Sequence, residues 1–177
     1  MVITGRYDHL IDDKGRLAIP SQVRNAMDPQ IDGAAFYLVP EENYLQLIPE
    51  KLFDRLSQVP AGLKPSEEVA RIRRVLFSTT TRLEPDKQGR VIIPDGVMAD
   101  SSSPDRLIKV RLKREVTLVG ASDRLELWNR EDYLTSMQGT VDNPASIQVT
   151  LQKLFGDYPA ASSTGGSLTS GGNASRS

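Results

Sequence analysis

The apolar and polar positions of the chain switch between a period of two and a period of about 3.6, and the switches mark its elements. Arg6 to Ile11 reads as a short strand, Asp12-Asp13-Lys14-Gly15 as a tight turn and Arg16 to Ile19 as the returning strand. A short helix follows from Pro20-Ser21, with Ser21 as its N-cap and Val23 and Met27 on one face. Phe36 to Val39 and Tyr44 to Ile48 form a hairpin around Pro40-Glu41-Glu42-Asn43. Glu50 to Val59 is predicted helical with Leu52, Phe53 and Leu56 inward. Ser66 to Phe77 is the clearest helix, capped by Ser66, with Glu67 and Glu68 at its positive end and a stripe of Val69, Ile72 and Leu76. Beyond it come a strand from Thr79 to Leu83, a turn from Asp86 to Arg90 and a strand to Ile93. A weak helix is expected at Asp95 to Ala99, strands at Leu107 to Val119 and Arg124 to Trp128, and a helix capped by Asn129 that runs to about Met137. Asn143-Pro144 starts a last helix, with Ile147, Leu151, Leu154 and Phe155 as its face.

The pattern occurs twice. Asp12-Asp13-Lys14-Gly15-Arg16-Leu17-Ala18-Ile19-Pro20 returns 74 positions later as Asp86-Lys87-Gln88-Gly89-Arg90-Val91-Ile92-Ile93-Pro94. Tyr44 to Ile48 aligns with Arg124 to Trp128, and Phe36 to Val39 with Val116 to Val119, now at an offset of 80. The chain is therefore a tandem duplication with six extra residues in the second copy, between Pro94 and Val116. A copy of 70 to 80 residues is close to the size at which one hydrophobic core is marginal, so the copies are expected to fold against each other.

Composition narrows the function classes. The 177 residues carry a formal net charge of -1, so nucleic acid could be held only locally and repeatedly, not by global attraction. With no cysteine, thiolate metal sites and disulfides are excluded, in keeping with a reducing compartment. The single histidine, His9, has no carboxylate cluster around it in sequence and reads as an ordinary strand residue, so no metal is expected. No secretory leader or apolar run of membrane-spanning length is visible, and a cytoplasmic protein is the expectation. No nucleophile, base and orienting group can be assembled, Ser78-Thr79-Thr80-Thr81 included, so an enzyme is not expected and neither cofactor nor small-molecule ligand is implied.

A single Asp-x-x-x-Arg is a weak signal. Here each of two copies has Gly just before the Arg and an apolar-x-Ile-Pro ending after it. A carboxylate can cap the N–H groups of the turn and hold the arginine stem, glycine lets the backbone turn sharply, and the guanidinium then projects from a rigid turn, ready to bind two acceptors. These two motifs, the helix between them, Val119-Gly120 and Glu126-Leu127-Trp128 resemble the MraZ family of bacterial transcriptional regulators.

The resemblance implies an α+β, mainly β fold: two tandem AbrB-like swapped-hairpin modules forming a small barrel with flanking short helices. On that reading residues 1–60 are the first module, 61–78 the bridging helix, 79–138 the second module, 139–158 a C-terminal helical segment and 159–177 a disordered Gly/Ser-rich tail. It also implies a sequence-specific, nucleoid-associated DNA binder, assembled as a homo-oligomeric ring on double-stranded DNA with direct repeats, acting on the promoter of division and cell-wall genes. Arg16 and Arg90 match the DNA-contacting arginines of the family, with Lys14 and Lys87 nearby on the same turns. Asp12, Gly15, Asp86 and Gly89 are then structural turn residues. The competing reading of the two arginines is a structural ion pair with Asp, which on a surface contributes little. A competing function is an antitoxin-like protein-interaction module on the same fold. Lys109, Arg111 and Lys113 read as the charged edge of a half-buried strand, and Arg71, Arg73 and Arg74 as a solvated or intersubunit face.

Overall fold

A computed structural model describes residues 2–58 and 66–155. Residues up to Ser136 form one compact unit, and a second begins at Met137. Among the described residues the first holds eight strands: β1 Arg6–Leu10, β2 Arg16–Ala18, β3 Phe36–Pro40, β4 Leu45–Pro49, β5 Thr81–Leu83, β6 Arg90–Ile92, β7 Glu115–Gly120 and β8 Leu125–Asn129. Its helices are α1 Ser21–Ala26, α2 Glu50–Ser57 and α3 Glu67–Thr79, with a 3-10 turn at Asp95–Val97. Helix α4, Arg130–Val141, starts in this unit and ends in the next, where α5 spans Pro144–Phe155.

Six strands make one antiparallel sheet in the order β1-β7-β8-β4-β3-β5, while β2 and β6 pair as a separate two-stranded ribbon. Strands of the two copies are exchanged: β1 pairs with the hairpin β7–β8 of the second copy, and β5 pairs with the hairpin β3–β4 of the first. The order reads alike from either end, and the register shows why. In the ribbon Arg16 faces Ile92, Leu17 faces Val91 and Ala18 faces Arg90. At the centre of the sheet Leu45 faces Leu127, Gln46 faces Glu126 and Leu47 faces Leu125. Each pairing is symmetric under the repeat offset, so a pseudo-two-fold axis passes through Leu17/Val91 and Gln46/Glu126. The duplicated chain is paired with itself.

Burial follows from this pairing. Successive residues of a strand point to opposite faces, so Leu45, Leu47, Leu125 and Leu127 join Leu17, Val91, Phe36, Leu38, Val116 and Leu118 in the main core. On the other face of the first hairpin, Val39 and Ile48 pack with Phe53 of α2 and Leu76 of α3. Tyr37 stacks on Phe53 with ring centroids 4.2 Å apart. Strand β4 is buried throughout because both of its faces are covered.

The sheet ends at β1 and β5 and does not close, and the ribbon is a separate ladder, so the expected barrel is not formed among the described residues. Pro20, not Ser21, occupies the N-cap of α1 and makes no side-chain cap. Leu56 is exposed, since α2 turns only Phe53 fully inward. Ser66 does cap α3, its Oγ accepting from Val69 N at 3.3 Å, but of the expected stripe Val69 and Ile72 are exposed, as is Val75, and Leu76 packs inward. Thr79 belongs to α3, and the hydroxyls of Ser78, Thr79 and Thr80 donate to helix carbonyls at Val75 and Leu76.

The stretch expected as a strand from Leu107 is extended only from Glu115. Before that, Ile108, Val110 and Leu112 are buried alternately without a ladder, tied by one parallel bridge between Leu112 and Met98. Asn129 secures this stretch: its Oδ1 accepts from Lys113 N at 2.7 Å and its Nδ2 donates to Arg111 O at 2.9 Å. The same Nδ2 also donates to Asp132 Oδ2 at 2.9 Å, so the side chain ties this stretch to the first turn of α4. In the second unit, Asp142 N donates to Gln138 O and Asn143 N to Thr140 O at the junction of the helices. Ile147 and Val149 are exposed there. The disordered tail expected from residue 159 lies outside the described residues.

Leu17 is fully buried on the pseudo-two-fold axis. Leu17→Ala should lower the unfolding free energy by about 2–5 kcal/mol, read by urea denaturation. Leu56→Ala, at an exposed position, should change it by under about 0.5 kcal/mol.

Candidate nucleic-acid interface

Each Asp-x-x-x-Arg motif closes a three-residue turn with a left-handed glycine at its end, the arrangement that joins a tight turn to a bulge. Asp12 N donates to Arg16 O at 3.1 Å and Gly15 N to Asp12 O at 2.9 Å. The second copy repeats this, with Asp86 N to Arg90 O and Gly89 N to Asp86 O both at 2.8 Å. Gly15 has φ +72° and Gly89 φ +75°, where a Cβ would be strained.

The carboxylates organise both turns. Asp12 Oδ1 accepts from the backbone N–H groups of Lys14 and Arg16, each at 2.9 Å, while Oδ2 accepts from Arg16 Nε at 2.7 Å. Asp86 Oδ1 accepts from the N–H groups of Gln88 and Arg90, and Oδ2 from Arg90 Nε at 2.9 Å and Nη2 at 2.8 Å. The backbone N–H of Arg16, followed by its guanidinium, holds the Asp12 carboxyl below the usual carboxylate range. The corresponding N–H of Arg90 and its guanidinium hold Asp86 at about 2. The guanidinium edges left over, both Nη atoms of Arg16 and Nη1 of Arg90, have no hydrogen-bond partner among the described residues. Lys14 and Lys87 are exposed beside them.

The ribbon brings the two turns together. Gly15 O accepts from Ile93 N at 2.8 Å and Gly89 O from Ile19 N at 2.9 Å, so each turn abuts the strand end of the other copy. Directly opposed residues of an antiparallel pair share a face. Leu17 and Val91 face the core, and Arg16, Ala18, Arg90 and Ile92 therefore face outward together. Arg16 and Arg90 sit diagonally, two residues apart in register, roughly 7 Å along the strands. Ile92, 65 % exposed, lies directly opposite Arg16. The two arginines singled out by the motif thus share one face of the ribbon. Ala18 and Ile92 were not singled out; their period-two offset from Leu17 and Val91 was the available signal, but only the register places each opposite an arginine of the other copy.

The other sequence candidates lie elsewhere. His9 is half-buried on β1, and burial lowers its pKa. Arg73 donates to Ser57 O and lies over the ring of Phe77, and Arg74 pairs with Glu67. Lys113 pairs with Glu131, and Arg111 donates to the carbonyls of Val110 and Asp105. Among the described residues no group of His, Asp or Glu side chains is arranged to hold a metal ion, and no helix is long and apolar enough to cross a membrane.

A family model described as "MraZ protein, putative antitoxin-like" matches residues 76–148. The chain is 32% identical over 145 residues to the "Transcriptional regulator MraZ" of Pediococcus pentosaceus, covering 78% of this chain and 89% of that protein. It is 33% identical over 152 residues to the protein of the same name from Thermomicrobium roseum, covering 85% and 98%. To that of Neisseria gonorrhoeae it is 29% identical over 152 residues, covering 84% and 95%.

A carboxyl whose folded pKa is depressed stabilises the fold above its unfolded value, and that contribution is lost as pH falls through the folded value. For Asp86 the window runs from about 4 down to about 2. Wild type should therefore lose stability over this range more steeply than the Asp12→Asn/Asp86→Asn double variant, as measured by urea midpoints at successive pH values.

Proposed function

This chain belongs to the MraZ family, and from that premise we propose that it is a sequence-specific DNA-binding transcriptional regulator whose base-reading element is the β2–β6 ribbon. The observation that carries the proposal is the outward face of that ribbon, with two guanidinium groups aimed by Asp12 and Asp86 and leaving Nη donors free. The major groove admits a two-stranded ribbon, and a bidentate arginine pairs with guanine O6 and N7. Arg16 and Arg90 are the base contacts, about two base-pair steps apart by their spacing along the ribbon. Lys14 and Lys87, at the turn tips, contact phosphate. Asp12, Gly15, Asp86 and Gly89 hold the geometry and touch no base.

A single chain offers few contacts and a net charge of -1, so useful affinity requires several chains on one duplex. The exposed Ile72 and Val75 of α3 line with Leu107 an apolar groove rimmed by Glu41, Glu42, Arg71 and Lys109, a surface of the kind that joins subunits. We read the assembly as a homo-oligomeric ring of AbrB-like swapped-hairpin modules. Head-to-tail neighbours present the same ribbon in the same orientation, which fits direct repeats recurring at about one helical turn. The target is the promoter of the division and cell-wall gene cluster, and the protein works in the cytoplasm on the nucleoid, without enzymatic activity. The description "antitoxin-like" attached to the family favours a second reading as a protein-interaction module, for which the ribbon arginines would be dispensable.

Footprinting of the purified protein on the DNA immediately upstream of its own reading frame tests the first reading. Protection should recur at about one-turn intervals, and its absence would refute DNA recognition there. Arg16→Ala and Arg90→Ala should each weaken binding by about 1–3 kcal/mol per contact with the fold intact, and lysine should rescue little because it lacks the fork. Isotherms at one salt concentration decide this. In a probe with several repeats, inserting about half a helical turn should abolish tight binding and a full turn should restore much of it.

A further inference from the structure

The pseudo-two-fold symmetry of the ribbon is broken in the surroundings of its two turns. Gly89 is buried and Gly15 is not, although their turns are otherwise alike. The difference is Arg24 of α1, whose side chain lies across Gly89: a Cβ on that glycine would fall 2.6 Å from both Cδ and Cζ of Arg24. A Cβ on Gly15 would meet only a backbone oxygen, that of Ile93 at 3.2 Å, and no side chain.

The repeat explains the asymmetry. Val23 and Val97 are counterparts at the 74-residue offset and both are buried in the core, so the counterpart of Arg24 is Met98. Met98 lies in the core as well and brings no charge to the first turn. Arg24 is exposed, and its Nε donates to Ile19 O at 3.2 Å. Its two Nη atoms have no partner among the described residues. The cation beside the first turn is instead consumed: Arg114 is held by Asp13 at 2.8 Å and by Asp100 at 3.2 Å. The second turn therefore presents Lys87, Arg90 and Arg24 around one carboxylate, whereas the first presents Lys14 and Arg16 beside two carboxylates, Asp12 and Asp13.

We propose that Arg24 is a third nucleic-acid contact, made to the phosphate backbone beside the second turn alone, so that the two ends of the ribbon are unequal and each chain lies on the duplex in one direction. The inference rests on the DNA-binding reading of the ribbon. Arg24 lies at the end of the ribbon and not on its outward face, and with the ribbon in the major groove its ends meet the walls of the groove, where phosphates stand. Two base-reading arginines related by a pseudo-two-fold axis would by themselves favour a symmetric element. An added phosphate anchor at one end gives the chain a polarity, as direct repeats require.

The test compares Arg24→Met, the residue its repeat counterpart carries, with Arg24→Lys. Both remove the Nε bond to Ile19, but only the first removes the charge. Affinity for the upstream duplex and for a shuffled duplex of equal length is measured between about 50 and 200 mM salt. Arg24→Met should weaken binding to both duplexes by the same factor and reduce the slope of log affinity against log salt by about one per engaged chain. Arg24→Lys should keep the wild-type slope, and Arg90→Ala should lose the preference for the upstream duplex. An unchanged slope in Arg24→Met, with wild type still preferring the upstream duplex, would overturn this inference and leave the ribbon reading in place. If Arg24→Lys behaved like Arg24→Met, the role of Arg24 would be structural, and the inference would fail. Wild type with no preference between the duplexes would overturn the parent reading, and the inference with it.

Discussion

The structure depends on the antiparallel pairing of one copy of the repeat with the other. At the centre of the sheet Leu45, Gln46 and Leu47 oppose Leu127, Glu126 and Leu125, and in the ribbon Leu17 opposes Val91. Neither copy has enough apolar surface to fold alone with ease, and the exchange of β1 and β5 between hairpins makes each copy complete the sheet of the other. The ribbon exists only because of this exchange. Its strands are three residues long, too short to persist without the core beneath Leu17 and Val91.

Built on that pairing, the carboxylates of Asp12 and Asp86 serve geometry more than stability. Each accepts two backbone N–H groups of its own turn and bonds its arginine, Asp12 through Nε alone and Asp86 through Nε and Nη2. Exposed ion pairs stabilise a fold little, but a guanidinium fixed along one edge has lost its rotational freedom before any ligand arrives, and binding then costs less in entropy. The same interactions lower the pKa of both carboxyl groups, so the ionised form that organises each turn is favoured.

Divergence of the copies has been absorbed away from the ribbon. Where the first copy has the six-residue helix α1, the second has a single 3-10 turn around Gly96 and an insertion whose buried residues Ile108, Val110 and Leu112 are fastened by Asn129 instead of a ladder. Arg24 and Met98 belong to this divergent region, which is why two turns of nearly identical geometry stand in different electrostatic surroundings.

The duplication, the order of strands and helices, the capping of α3 by Ser66 and the two turns with their left-handed glycines were legible in the sequence, because each depends on residues within a few positions of one another. So were the arginines that the turns display. The tertiary structure alone decided what depends on register and on contacts between copies. These are the exchange of β1 and β5, the open sheet in place of a barrel, and the exposure of Val69 and Ile72 on a helix that reads as amphipathic. Local periodicity says which positions share a face but not what, if anything, covers that face. Likewise nothing within ten residues of Gly89 indicates that Arg24 will lie across it. That contact joins residues 65 positions apart in the chain, and it arises only because the ribbon sets the turn of one copy against the strand end and helix of the other.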